Sequence, residues 1–259
     1  MSEPRIVLFD LETLPNLREA MKIWPGMSNY PGLTLKASIN TLICFGWQTL
    51  GEGPAKCLSA WDLPGWQTNI NDDRELCEQA YVTLKDADAV VTHNGKRFDW
   101  RFLQTRLLLH GLPRLPDIPH VDTKAIASSK LYLFSNKLDN IAGNLRLERK
   151  LDHEGWDLWV KVSERNPEAC ALMAKYCTQD VNVLAQIFEK LRPFAQNLPN
   201  QNLFSVGGQG RNVCPSCGST RLKSGGIRAT KTMTYRRYCC QDCGSWSRTD
   251  VKDKLPRSV

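Results

Sequence analysis

The chain has 259 residues, 42% of them hydrophobic, and a formal net charge of +7, the size and composition of one large globular domain with a small appendage. No apolar run approaches the ~18 residues of a membrane span, and the first residues lack the basic-then-apolar pattern of a secretory signal. This argues against a membrane protein and for a cytosolic one, in which the ten cysteines serve as metal ligands or core residues rather than disulfides.

Ile6 to Phe9 is an unbroken apolar run and reads as a strand buried on both faces, the kind found centrally in an α/β sheet. Leu14 to Asn40 holds three prolines and reads as a flap with a helical turn near Leu17 to Ile23. Thr41 to Leu50 and Ala55 to Trp61 flank Gly51-Glu52-Gly53-Pro54 as a β-hairpin. Asp72 to Lys85 carries Leu76, Ala80 and Leu84 at helical spacing, with acids in its first turn. Ala89 to Thr92 is a second buried strand, Phe98 to His110 a helix, and Pro119 to Asp122 a short strand. Smaller helices are expected over Thr123 to Ser129 and Leu138 to Asn144. The last helix runs from Pro167 to about Arg192, with Asn166 as its cap and a stripe of Ala171, Ala174, Cys177, Val181, Leu184 and Phe188. Together these predict a mixed sheet covered by helices.

Asp10 and Glu12 close the first strand. Side chains alternate along a strand, so both point to one side, where two like charges cost stability. Hard oxygen ligands for a divalent cation explain that cost; a solvated acidic turn is the alternative. Asp99 falls in the first turn of a helix after a strand end, where sites in open sheets collect, although an acid there also serves the helix dipole. Tyr176 and Asp180, four residues apart, share one helix face about 6 Å apart along the axis.

Phe-Asp-Leu-Glu-Thr at 9 to 13, His-Asn-Gly-Lys-Arg-Phe-Asp at 93 to 99 and Tyr-Cys-Thr-Gln-Asp at 176 to 180 resemble the three exonuclease motifs of the DEDD superfamily, and the Tyr-x-x-x-Asp spacing resembles its tyrosine branch. Val121-Asp122-Thr123 and Lys137 to Ala142 are similar to segments of exonuclease-related proteins of tailed bacteriophages, some of which end in a zinc ribbon. The resemblance spans roughly residues 4 to 193. It implies an RNase H-like fold and 3′ to 5′ exonuclease activity, with Asp10, Glu12, Asp99 and Asp180 holding two Mg²⁺ or Mn²⁺ ions roughly 3.5–4 Å apart. It further implies that Tyr176 orients the attacking water, and that Asn94 touches the substrate backbone. Lys96 and Arg97 are candidate phosphate contacts, Leu11 and Thr13 candidate contacts to the terminal nucleotide, and Trp24 and Tyr30 of the flap candidate base-stacking groups.

Cys214-Pro-Ser-Cys217-Gly and Cys240-Gln-Asp-Cys243-Gly are two Cys-x-x-Cys-Gly knuckles separated by 22 residues. Four thiolates suit one structural Zn²⁺, with the glycines suited to positive φ. Cys239 lacks the partner spacing and is excluded. Arg221 to Tyr238 is expected to form a hairpin around Gly225-Gly226, giving a zinc ribbon. From Ser205 onward eleven Lys or Arg face three Asp, a net of +8 that leaves −1 for the first 204 residues. Arg221, Arg228, Arg236 and Arg237, with Trp246 among the interleaved aromatics, point to nucleic acid, and a docking ribbon for a replication or recombination protein is the alternative.

The expected organisation is therefore a nuclease domain over 1–196, a linker over 197–211, a Cys₄ ribbon over 212–250 and a basic tail over 251–259. DNA is the favoured substrate. The alternatives are an RNase D-like exoribonuclease, a catalytically silent nucleic-acid-binding protein, and an RNase H-like endonuclease or transposase. If the chain is phage-encoded, its location is the bacterial host cytoplasm. His93, His110, His120 and His153 are read as structural or surface residues, Phe98 as core, and Trp156 and Trp159 as packing on the last helix.

Overall fold

The computed structural model describes residues 4–15, 40–151, 155–201 and 213–250, which divide into two compact units at Glu189/Lys190. The flap with Trp24 and Tyr30, His153, most of the linker and the basic tail lie outside the described residues.

In the larger unit, β1 (Ile6–Pro15), β2 (Asn40–Thr49), β3 (Lys56–Ser59), β4 (Ala89–Thr92) and β5 (His120–Asp122) form one sheet in the order β3-β2-β1-β4-β5. β1 pairs antiparallel with β2 and parallel with β4, so the sheet is mixed with the apolar Ile6–Phe9 run at its centre. The helices are α1 (Pro64–Thr68), α2 (Arg74–Leu84), α3 (Asp99–Leu109), α4 (Thr123–Lys130), α5 (Leu138–Asn144), α6 (Trp156–Ser163) and α7 (Pro167–Leu191). Asn166 caps α7 as expected, its Oδ1 accepting from Ala169 N at 2.9 Å. The short α1 and α6 are additions to the sequence reading, and Trp159 on α6 donates through Nε1 to Thr13 O of β1 at 3.0 Å. The side chain of Trp156 is outside the described set.

Two local features aim the site. The β1/β2 register shifts between Glu12 and Thr13, a bulge of the kind that redirects side chains beside active sites. On β2, a Cβ at Gly46 would lie 2.8 Å from Cys177 Sγ of α7. Glycine there admits the helix close to the sheet and brings the next turn of α7 over the end of β1.

A buried ion network ties α2, α3 and β2. Asp73, at the N-cap of α2, accepts from Leu42 N (2.7 Å), from Arg106 Nε (2.8 Å) and from His110 Nε2 (2.5 Å). Burial alone would raise the Asp73 carboxyl, but His110 and Arg106 hold it below its ordinary value. Asp73→Ala strands the Arg106 charge and is expected to destabilise the fold by about 3–5 kcal/mol, measured by denaturant unfolding. The contribution of Asp73 is present above the unfolded carboxyl pKa of about 4 and is lost as pH falls below it.

In the smaller unit β6 (Leu222–Ala229), β7 (Thr234–Cys240) and β8 (Trp246–Asp250) form an antiparallel sheet in that order. The expected turn at Gly225-Gly226 is corrected. That pair is a bulge inside β6, where the register shifts between Ser224 and Ile227, and the chain reverses at Thr230–Met233. A Cβ at Gly225 would meet the Trp246 ring at 2.5 Å, so the glycine answers to the third strand, β8, rather than to a turn.

Candidate active site and zinc centre

Asp10 and Glu12 leave the same face of β1 while Phe9 and Leu11 turn into the core. Asp180 comes from α7, and ligand oxygens of Asp10, Glu12 and Asp180 lie within 4.8 Å of one another. Asp99, first residue of α3, is fully covered and accepts from Leu11 N at 3.2 Å. The hydrogen bond places its carboxyl against the backbone between Asp10 and Glu12.

Metal-free, this crowding is costly. Burial, then Asp99, Asp180 and Glu12, raise Asp10 well above the ordinary carboxylate value. Burial and then Asp180 push Glu12 up to about 8, and burial pushes Asp99 up to about 7. A divalent cation meets the demand that these values express, since hard oxygen donors held together are what Mg²⁺ or Mn²⁺ takes. The residues therefore fit the ion. Their folded pKa values exceed those of the unfolded chain, so the metal-free fold binds extra protons, and its stability falls as pH rises from about 4 toward about 8. Thermal unfolding of the metal-free protein should show this decline from about pH 5 to about pH 8, and saturating Mn²⁺, replacing those protons, should abolish it.

Lys150, in the segment between α5 and α6, went unnoticed in the sequence. Its Nζ lies 2.5 Å from Asp180 Oδ2 and 4.9 Å from the Tyr176 ring centroid. Burial would lower this ammonium, yet Asp180 and Tyr176 raise it further above its usual value. The lysine thus neutralises one acid of the cluster. Tyr176 is buried, and burial followed by Asp180 pushes its phenol up to about 12, so at neutral pH it is a hydrogen-bonding phenol and not a base.

The second motif turns sharply. Asn94 has φ 69°, a left-handed conformation that asparagine tolerates, and its N–H donates to Asp122 Oδ1 at 2.9 Å. Lys96 and Arg97 are exposed just before α3. His93 bonds Thr123 Oγ1 (2.9 Å) and Asn136 O (3.0 Å), and burial lowers its pKa to about 4. It is a neutral structural pin. His120 bonds Thr92 Oγ1 at 2.7 Å and meets Trp100 edge-on, while Phe98 packs on the core and on Phe102.

In the smaller unit the four sulfurs of Cys214, Cys217, Cys240 and Cys243 lie within 4.8 Å of one another, with two pairs at 3.7 Å. A tetrahedron with Zn–S of about 2.3 Å has edges of about 3.8 Å, so the thiols fit Zn²⁺. Gly218 and Gly244 follow the knuckles at φ 77° and 76°. Cys239 points to the other face, toward its neighbour's carbonyl at 3.7 Å.

Cross-strand register sorts the ribbon's basic residues. Lys223 and Trp246 both oppose Cys239, Arg228 opposes Tyr235, and Arg237 opposes Arg248, so all share one face. Arg237 lies 5.0 Å over the Trp246 ring and Arg248 5.3 Å over Tyr235. Arg236 is on the opposite face, and Arg221 is bonded to Asp242 at 2.6 Å.

A sequence profile of the RNase H superfamily matches residues 51–192, more than half of the chain. The chain belongs to that superfamily, and it has the RNase H-like mixed sheet flanked by helices. Over 66 residues it is 33% identical to the uncharacterised protein YprB of Bacillus subtilis strain 168, covering 25% of this chain and 15% of that one. It is also similar to a family B DNA polymerase from the hyperthermophilic archaeon Pyrobaculum calidifontis, with TM-score 0.56 and 20% identity over 81% of this chain and 26% of the polymerase. That second likeness is one of fold, and the chain spans well under a third of either protein. Among the described residues no helix is long and apolar enough to cross a membrane.

Proposed function

We propose that the chain is a metal-dependent 3′ to 5′ exonuclease of the DEDD type, tyrosine branch, that acts on DNA. The convergence of Asp10, Glu12 and Asp180 at one strand end, with Asp99 hydrogen-bonded to the Leu11 N–H between the first two, carries the reading. When bound, two Mg²⁺ or Mn²⁺ ions supply an activated water and stabilisation of the leaving 3′ oxygen. The four carboxylates hold those ions. Tyr176, protonated at neutral pH, orients the attacking water through its phenol. Asn94 presents its amide to the substrate backbone, and Lys96 and Arg97 meet phosphates at the mouth of the site.

The ribbon, held by one structural Zn²⁺ on Cys214, Cys217, Cys240 and Cys243, raises affinity for the strand. Its basic and aromatic face, Lys223, Arg228, Arg237 and Arg248 with Tyr235 and Trp246, supports this role, because cations seated over ring faces combine phosphate contacts with stacking surfaces. The proposed organisation keeps 197–211 as linker and 251–259 as basic tail.

The test is digestion of a 5′-labelled single-stranded DNA with Mg²⁺ or Mn²⁺, beside its RNA counterpart and a covalently closed circular strand. A ladder shortening from the 3′ end of linear DNA, with the circle intact, is expected. Cleavage of the circle would make the protein an endonuclease, and preference for the RNA would reassign the substrate.

A further inference from the structure

The segment from Lys130 to Lys137, linking α4 to α5, has an inverted surface. Leu131 and Leu133 are half-buried, while Tyr132 and Phe134 between them are 104% and 103% exposed. Exposure alternates from Leu131 to Phe134, whereas the outward positions of a merely solvated loop take polar residues. Here the outward positions hold the two most exposed large apolar side chains among the described residues. Lys130 and Lys137 bracket them, both exposed, with no acid in between.

The loop is fastened beside the acidic site. Asn136 O accepts from His93 Nε2 at 3.0 Å, and His93 directly follows β4. β4 lies parallel to β1 with Leu8 opposite Val91, so the residue after β4 stands level with Asp10, about 5 Å away across the strand spacing. Phe134 is two residues from Asn136, within about 7 Å of chain. The hydrogen bond to His93 thus ties the loop that carries the aromatics to the strand end beside Asp10.

We propose that Tyr132 and Phe134 form a stacking platform for the bases of a single strand just 5′ of the scissile bond, with Lys130 and Lys137 on its phosphates. Aromatic faces recognise any base, and flanking cations meet the backbone. This deepens the exonuclease reading and rests on it for the direction of the strand. It commits the site to unpaired nucleic acid, because paired bases do not offer their faces.

The double variant Tyr132→Ala/Phe134→Ala removes fully exposed side chains and leaves the fold intact. Anisotropy in metal-free buffer, with a fluorescent octanucleotide and with its abasic counterpart, reads the platform without catalysis. The variant is expected to bind the octanucleotide at least about 10-fold more weakly, and to match the unsubstituted protein on the abasic strand and in hydrolysis of the p-nitrophenyl ester of thymidine 5′-phosphate. Lys130→Gln and Lys137→Gln should each lower the salt slope by about one. Unchanged octanucleotide affinity, or an equal loss on the abasic strand, would overturn the platform and leave the aromatics to a protein contact. If the unsubstituted protein cleaves nothing while the variant still loses base-dependent binding, the exonuclease reading fails and the platform stands.

Discussion

Asp180→Asn is expected to lower cleavage by about 10³-fold or more while the protein remains folded. The acid is buried in α7 and shares the cluster with Asp10 and Glu12, and a metal clamp contributes several kcal/mol to a phosphoryl transition state, each 1.36 kcal/mol being about tenfold. Asparagine keeps the shape and removes the charge. Without metal the variant loses a repelling acid but also the partner of the Lys150 amine, so the two effects oppose and the response to metal is the diagnostic readout. With Mn²⁺ it should lose the stabilisation that ligand binding gives the unsubstituted protein. Asp10→Ala should behave alike in cleavage. Single-turnover digestion and thermal scans with and without Mn²⁺ check both statements; full activity in either variant would falsify the shared metal site.

Removing the proposed structural zinc is expected to have the second large effect. The ribbon's three short strands expose most of their side chains, and a module of this size buries too little apolar surface to fold unaided. Metal binding in comparable zinc-finger peptides supplies ~10–16 kcal/mol. Stripping the metal, or making Cys240→Ser, is therefore expected to unfold β6 to β8 and to separate Arg237 and Arg248 from the aromatics beneath them. Affinity for a long strand should fall and its dependence on salt flatten, because fewer phosphates are neutralised. Hydrolysis of a dinucleotide should persist. Circular dichroism and binding titrations at several salt concentrations measure these effects. An unchanged salt slope would assign the ribbon to protein contacts instead.

How much of this was readable beforehand depended on whether the signal was local. Ile6 to Phe9 with Asp10 and Glu12 was legible because strand alternation puts both acids on one side, and the four-residue spacing of Tyr176 and Asp180 placed both on one face of α7. The Cys-x-x-Cys-Gly spacing showed the knuckles for the same reason. Lys150 was invisible because a lysine in Glu148-Arg149-Lys150 has the same local pattern as a solvated one, and only the fold brings it to Asp180. The Asp73, Arg106 and His110 network likewise joins residues far apart in the chain. Gly225-Gly226 misled because glycine pairs mark both turns and bulges, and the deciding contact, the Trp246 ring, belongs to β8, a strand the sequence reading did not contain. Arg221 and Arg236 were grouped with Arg228 and Arg237 by sequence proximity. Register and the Asp242 bond separate them.

The most direct test of the central claim is anomalous scattering from crystals of the full chain soaked in Mn²⁺. Two peaks among the carboxylates of Asp10, Glu12, Asp99 and Asp180, with the Lys150 amine displaced from Asp180, are predicted. A site without manganese, with Lys150 still on Asp180, would contradict it.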